Sequence, residues 1–161
     1  MHKKVLVEET SVYHGKIKMP KGYEIDHESF IFNITGSNVF DVPFPTTNIF
    51  SELNTYLIEN ICLNFKIIIS NVKTWGDIIY PTKKSDIVIP PQDIKHHFVL
   101  LFGVKITPKS TYVKIYLNNK PITFEIKEGE FVMFPSNLMY NFTENKSNKF
   151  NFIQTILYER F

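Results

Sequence analysis

The sequence predicts a mostly β domain of the jelly-roll kind, with one helix flanking it on the N-terminal side. Three observations lead there. From Phe65 onward the apolar residues come in short β-branched and aromatic runs cut by Pro, Gly and Asn. One stretch ahead of them carries helical spacing, and one segment alternates and folds back through an Asn-Asn turn. Short strands at regular spacing suit two packed sheets of about four strands each.

The elements follow in chain order. Val39 to Pro45 alternates and stops at Pro43 and Pro45, which reads as a strand or extended arm entering a turn. Ile49, Phe50, Leu53, Leu57, Ile58 and Ile61 fall on one helical face, and Thr47 or Asn48 can cap that helix. Its amphipathic pattern is that of a helix packed on the outside of a sheet. Strands are expected at Phe65 to Ile69, Asp86 to Ile89 and Phe98 to Ile106, the last two ended by Pro90 and Pro108. Thr111 to Leu117 and Ile122 to Ile126 form a hairpin across Asn118-Asn119, and Phe131 to Phe134 and Phe150 to Tyr158 complete the set. The expected organisation is a single domain over 1–161: an N-terminal arm and strands over 1–46, the helix over 47–62 and the jelly-roll core over 65–161.

Composition narrows the function classes. A chain of 161 residues with 43% hydrophobic and 21% charged residues has enough apolar matter for one sizeable core. Its net charge is +2, and the lysines are scattered, so no run tracks a phosphate backbone and no nucleic-acid partner is expected. No window reaches the length of a membrane span, and Met1 to Val7 is followed at once by Glu8 and Glu9 with no apolar stretch of signal-peptide length. The single cysteine, Cys62, lies in an apolar run and reads as a small buried hydrophobe. These features point to the cytoplasm or a virion, without secretion by a signal peptide.

One stretch is more specific. Glu128-Gly129-Glu130-Phe131-Val132-Met133-Phe134-Pro135-Ser136 is followed by Asn137-Leu138-Met139-Tyr140, and Phe98 to Ile106 forms a long strand upstream. On these residues the region from about Trp75 to Tyr158 resembles the double-stranded β-helix proteins of the Fe(II)/2-oxoglutarate-dependent oxygenase superfamily, the small phage and cyanobacterial members above all. The resemblance implies a jelly roll whose iron is held by two histidines and a carboxylate, leaving positions for 2-oxoglutarate and dioxygen. It places the second histidine at Tyr140, and a neutral phenol is a poor ligand for Fe(II). The first motif, His-x-Asp or His-x-Glu, is expected near the start of the Phe98 strand. There the chain offers Asp93, His96 and His97 without the required spacing, and neighbouring residues on a strand face opposite ways.

The resemblance also places a basic residue ahead of the last strand to pair with the far carboxylate of 2-oxoglutarate. Lys149 stands there, within a segment that also reads as a solvated polar loop. Glu125, Glu128 and Glu130 read as solvent-facing partners of Lys114, Lys120 and Lys127. The expectation that follows from the resemblance is a catalytically degenerate oxygenase-like jelly roll, with no catalytic residue, metal or cofactor expected. Fifteen phenylalanines and eight tyrosines supply surface for other protein subunits, in an oligomer or a phage or virion structural component. The alternative is an active Fe(II)/2-oxoglutarate-dependent dioxygenase, a hydroxylase with an atypical site that draws on Asp93, His96 or His97. A metal-free cupin-like binding domain is the third reading.

Overall fold

A computed structural model describes residues 10–29, 31, 48–118 and 120–161. Its named elements are β1 (Tyr13–Lys16), α1 (Asn48–Phe65), β2 (Ile69–Ile79), β3 (Phe98–Lys105), β4 (Tyr112–Leu117), β5 (Lys120–Glu125), β6 (Glu130–Pro135), β7 (Tyr140–Phe142) and β8 (Asn151–Arg160). They form a five-stranded sheet, ordered β1-β6-β3-β8-β2, and a three-stranded sheet, ordered β5-β4-β7. Every pairing between named strands is antiparallel.

Strand alternation gives the large sheet two buried faces. Phe98, Leu100, Phe102 and Val104 of β3, with Met133 of β6 and Ile156 and Tyr158 of β8, pack against α1. Val99 and Leu101, with Val132, Phe134, Ile153 and Leu157, turn the other way and meet Val113, Ile115, Tyr140 and Phe142 of the small sheet. The molecule is thus three layers: helix, large sheet, small sheet.

Helix α1 forms because Phe50, Leu53, Leu57 and Ile61 recur at helical spacing, and all four are buried. Burying each contributes about 1.5–3 kcal/mol, so the apolar stripe sets how the helix docks. The helix runs to Phe65 rather than stopping at residue 62. Phe65 extends the docked stripe by one turn and packs its ring 4.7 Å from that of Tyr13. The expected strand from Phe65 to Ile69 is accordingly a helix end, closed where the Lys66 amide donates to the Cys62 carbonyl and Lys66 adopts a positive φ of 55°.

The following strand, β2, carries Asn, Lys, Gly and Asp, weak strand formers that hid it in the sequence. Its ten-pair ladder with β8 holds it on the sheet edge, with one bulge between Asn71 and Lys73. Asp86 to Ile89 is not a full strand. Val88 alone bridges Tyr140, while Ser85 exchanges bonds with Phe142, so this segment runs beside β7 as an irregular margin of the small sheet. The division is therefore five strands against three, not four against four. The hairpin is as read from the alternation, with Asn118 at φ 46° opening its turn. The alternating segment from Val39 to Pro45 lies outside the described residues.

Candidate functional site

The Glu128 to Ser136 stretch builds a corner, and its residues have identifiable structural work. Gly129 adopts φ +75°, a conformation that costs glycine nothing, and its amide donates to the Gly103 carbonyl at 2.8 Å. Gly103 is required by close approach, since a Cβ there would lie 2.2 Å from the Lys127 carbonyl oxygen. Glu128 accepts the Ile106 amide through its side chain, and Glu125 accepts that of Lys109 while lying 3.8 Å from the Lys127 ammonium. At the far end Ser136 clamps the start of β3, its amide donating to the His97 carbonyl and its hydroxyl to that of His96.

Tyr140 follows this corner as a core side chain. It is 1% exposed, with its ring edge-on to Phe134 at 5.2 Å and to Phe142 at 5.9 Å. Burial, aided by the negative charge of Asp77, holds its phenol well above the usual tyrosine range.

The other candidates lie elsewhere. His97 is exposed, its Nδ1 accepting the Arg160 amide at 3.0 Å at the end of β8. His96 donates from Nε2 to the Pro91 carbonyl at 2.6 Å, and its Nδ1 is enclosed without a partner. Asp93 is exposed. Lys149 is also exposed, in a loop that Asn145 and Ser147 hold through its backbone carbonyl, just ahead of Asn151. Ten residues of extended strand separate the Lys149 end of β8 from the His97 end, roughly 30 Å. These side chains do not converge on one site.

A polar group that the sequence reading missed does converge inside the sandwich. Trp75, Asp77 and Ile79 share the inward face of β2. Asp77 Oδ2 accepts the Thr155 hydroxyl at 2.6 Å and the Trp75 Nε1–H at 3.1 Å. Although the residue keeps some exposure, its carboxyl is enclosed, and burial pushes it up to about 6 against the lowering effect of those two donors. Neither ion pair among the described residues includes Asp77. Its sequence signal was Trp75-Gly76-Asp77 ahead of an alternating Ile79, legible only once β2 is known to be a strand.

The layering and strand order can now be set beside known structures. A prolyl-4-hydroxylase of Pseudomonas putida superposes with TM-score 0.65 at 9% identity, covering 94% of this chain and 86% of its own. This chain has the fold of the 2-oxoglutarate oxygenases. The viral collagen prolyl hydroxylase of Paramecium bursaria Chlorella virus-1 gives TM-score 0.64 at 10% identity, over 99% of this chain and 97% of that one. AviO1 of Streptomyces viridochromogenes gives 0.63 at 10% identity, over 93% and 90%. No protein-family model matches the chain, and no curated protein matches it either.

The oxygenase fold calls for an iron site of two imidazoles and a carboxylate on one face. The described residues do not fit it. Both nitrogens of His96 are committed or enclosed, His97 faces outward at the end of β8, and the inward residue of the corner is a phenol held neutral. Among the described residues no three of His, Cys, Asp and Glu gather as metal ligands do.

Proposed function

We propose that this chain keeps the oxygenase jelly roll and works without its iron chemistry, as a binding or structural module among other protein subunits. The observation that carries this reading is Tyr140. At the place the resemblance gives to a histidine ligand stands a side chain packed between two phenylalanines, whose hydroxyl stays protonated across the working pH range. The separation of Lys149 from His96 and His97 along β8 supports the same reading.

Surface for a protein partner lies where α1 meets β2. Leu63 is 81% exposed, Ile68 67% and Phe161 76%, with the Phe161 amide bonded to the Ile68 carbonyl. Large apolar side chains this exposed are costly to leave in water.

The test is an anaerobic titration with Fe(II) and 2-oxoglutarate, followed in the visible for the charge-transfer band of the ternary complex. No saturable band is expected. A band that saturates with one iron per chain overturns the proposal and restores an active dioxygenase with an atypical site.

A further inference from the structure

One side seam of the sandwich holds a cavity. β1 ends the large sheet and β5 ends the small one, and among the described residues no ladder joins these two edge strands. His14 of β1 reaches across the seam, its ring centroid 5.4 Å from that of Phe124 on β5 and tilted 47° to it. In the ladders His14 lies opposite Val132 and Phe124 opposite Val113, both core side chains of the space between the sheets, so His14 and Phe124 turn inward with them. A cavity of about 220 Å³ adjoins the two rings, and the buried Ile126 and Val132 line it with them.

The solvent end of this cavity carries charge of both signs. Lys127 and Glu130 stand at the two ends of one tight turn, closed where the Glu130 amide donates to the Lys127 carbonyl at 3.2 Å and Gly129 takes its positive φ. Both line the cavity, as does Glu125. Glu125 is already engaged: one carboxylate oxygen accepts the Lys109 amide at 2.8 Å, and the other lies 3.8 Å from the ammonium of Lys127, a loose contact to a side chain that is 54% exposed. The Glu130 carboxylate makes no hydrogen bond or ion pair among the described residues. Lys16, opposite Glu130 in the ladder of β1 with β6, is exposed and stands outside the cavity lining.

These walls select an occupant. About 150 Å³ of apolar space is enough for a benzene ring, and an aromatic ring packs favourably against the rings of Phe124 and His14. A hydrocarbon would leave Glu130 and Lys127 unused, and a simple cation or anion would use one of them. A zwitterion with an aromatic group uses the ring walls, the free carboxylate and the loosely held ammonium together.

We propose that this cavity binds a free α-amino acid with an aromatic side chain. Its ammonium group meets Glu130, its carboxylate meets Lys127, and its ring lies against His14 and Phe124 over Ile126 and Val132. The cavity lies at the Glu130 end of β6, whereas the turn toward Tyr140 leaves from the Pro135 end, five steps of extended strand or roughly 17 Å away. The site is therefore independent of whether the chain binds iron.

The test is a titration of the full chain with L-phenylalanine, followed in amide nitrogen–proton correlation spectra. Saturable shifts are expected at Thr123 to Lys127 and at Glu130 to Val132, with half-saturation in the millimolar range. Phenethylammonium lacks the carboxylate, 3-phenylpropionate lacks the ammonium group and L-alanine lacks the ring; each is expected to need about threefold higher concentration or more. These comparisons use the wild-type chain alone, so they stand even where a variant folds poorly. Glu130→Gln weakens L-phenylalanine by a similar factor and leaves 3-phenylpropionate unchanged, and Lys127→Gln weakens it while leaving phenethylammonium unchanged. Asp93→Asn, an exposed change outside the cavity lining, alters none of these values. The proposal is overturned by a one-charge analogue that saturates at the same concentration as L-phenylalanine, by shifts centred away from β5 and β6, or by no saturable shift at all. Failure here leaves the iron titration untouched, and the reverse also holds.

Discussion

The two buried faces of the large sheet each enclose a tyrosine, and the two are treated differently. On the helix face Tyr158 donates its hydroxyl to Asn54 Oδ1 at 2.7 Å, so a fully buried phenol is satisfied by a polar residue on α1. On the inner face Tyr140 has no such partner among the described residues, its ring lying edge-on to Phe134 and Phe142, and the Asp77 carboxyl is buried there without an ion-pair partner among them. The difference separates a surface finished for stability from one that holds polar groups at a cost. Unsatisfied buried groups cost stability wherever they occur, and proteins concentrate them at sites of use.

Four substitutions test this contrast. Leu57→Ala empties the helix layer at a fully buried position and is expected to cost about 2–5 kcal/mol in chemical denaturation. A loss below about 1 kcal/mol would mean that α1 is not docked as described.

Asp77→Asn acts in the opposite sense. The folded carboxyl titrates near 6, above the ordinary 3.8, so the folded chain holds a proton that the unfolded chain has released between those values. The stability from this group is fully present below the unfolded value and is lost as pH rises through about 6. The asparagine variant is therefore expected to exceed the wild type by at most about 3 kcal/mol above neutrality, with the gap closing below about pH 4. Denaturation curves across pH that run parallel for the two proteins would refute the buried, unpaired carboxylate.

Tyr158→Phe removes one satisfied bond and leaves Asn54 short of a partner, for an expected loss of about 1 kcal/mol. Tyr140→Phe removes a hydroxyl for which the described residues offer no partner, so it is expected to raise stability slightly, by up to about 1 kcal/mol. Equal losses from the two changes, measured side by side, would erase the contrast between the faces.

Much of the fold was legible because its signals are local. Thr111 to Glu125 alternates around an Asn pair, Phe98 to Val104 is uniformly apolar because both of its faces are buried, and α1 shows its stripe directly. What escaped depends on distant partners. β2 is polar and owes its existence to a ladder with residues about eighty positions later, and β1 and β7 are held as short strands by β6 and β4. The corner was legible as a motif, but the packing of Tyr140 was not, since a tyrosine after a turn reads equally as ligand, surface or core. Asp77 was hidden for the same reason as β2. An isolated acid in a polar segment has no periodic signature, and only the register Asp77 to Ile153 turns it inward.

The place of β8 bears on how the chain is made. It is the last of the described strands in sequence, yet in space it lies between β2 and β3 and completes both ladders. On the ribosome β2 and β3 emerge long before their shared partner, leaving Phe98 to Val104 without the neighbour that covers them. Loops of this length close slowly, and open apolar strands associate with whatever they meet. The large sheet of this protein cannot close until residues 151–160 are clear of the exit tunnel, so its apolar strands stay unpaired for longer during synthesis than the helices of a helical chain of equal length would.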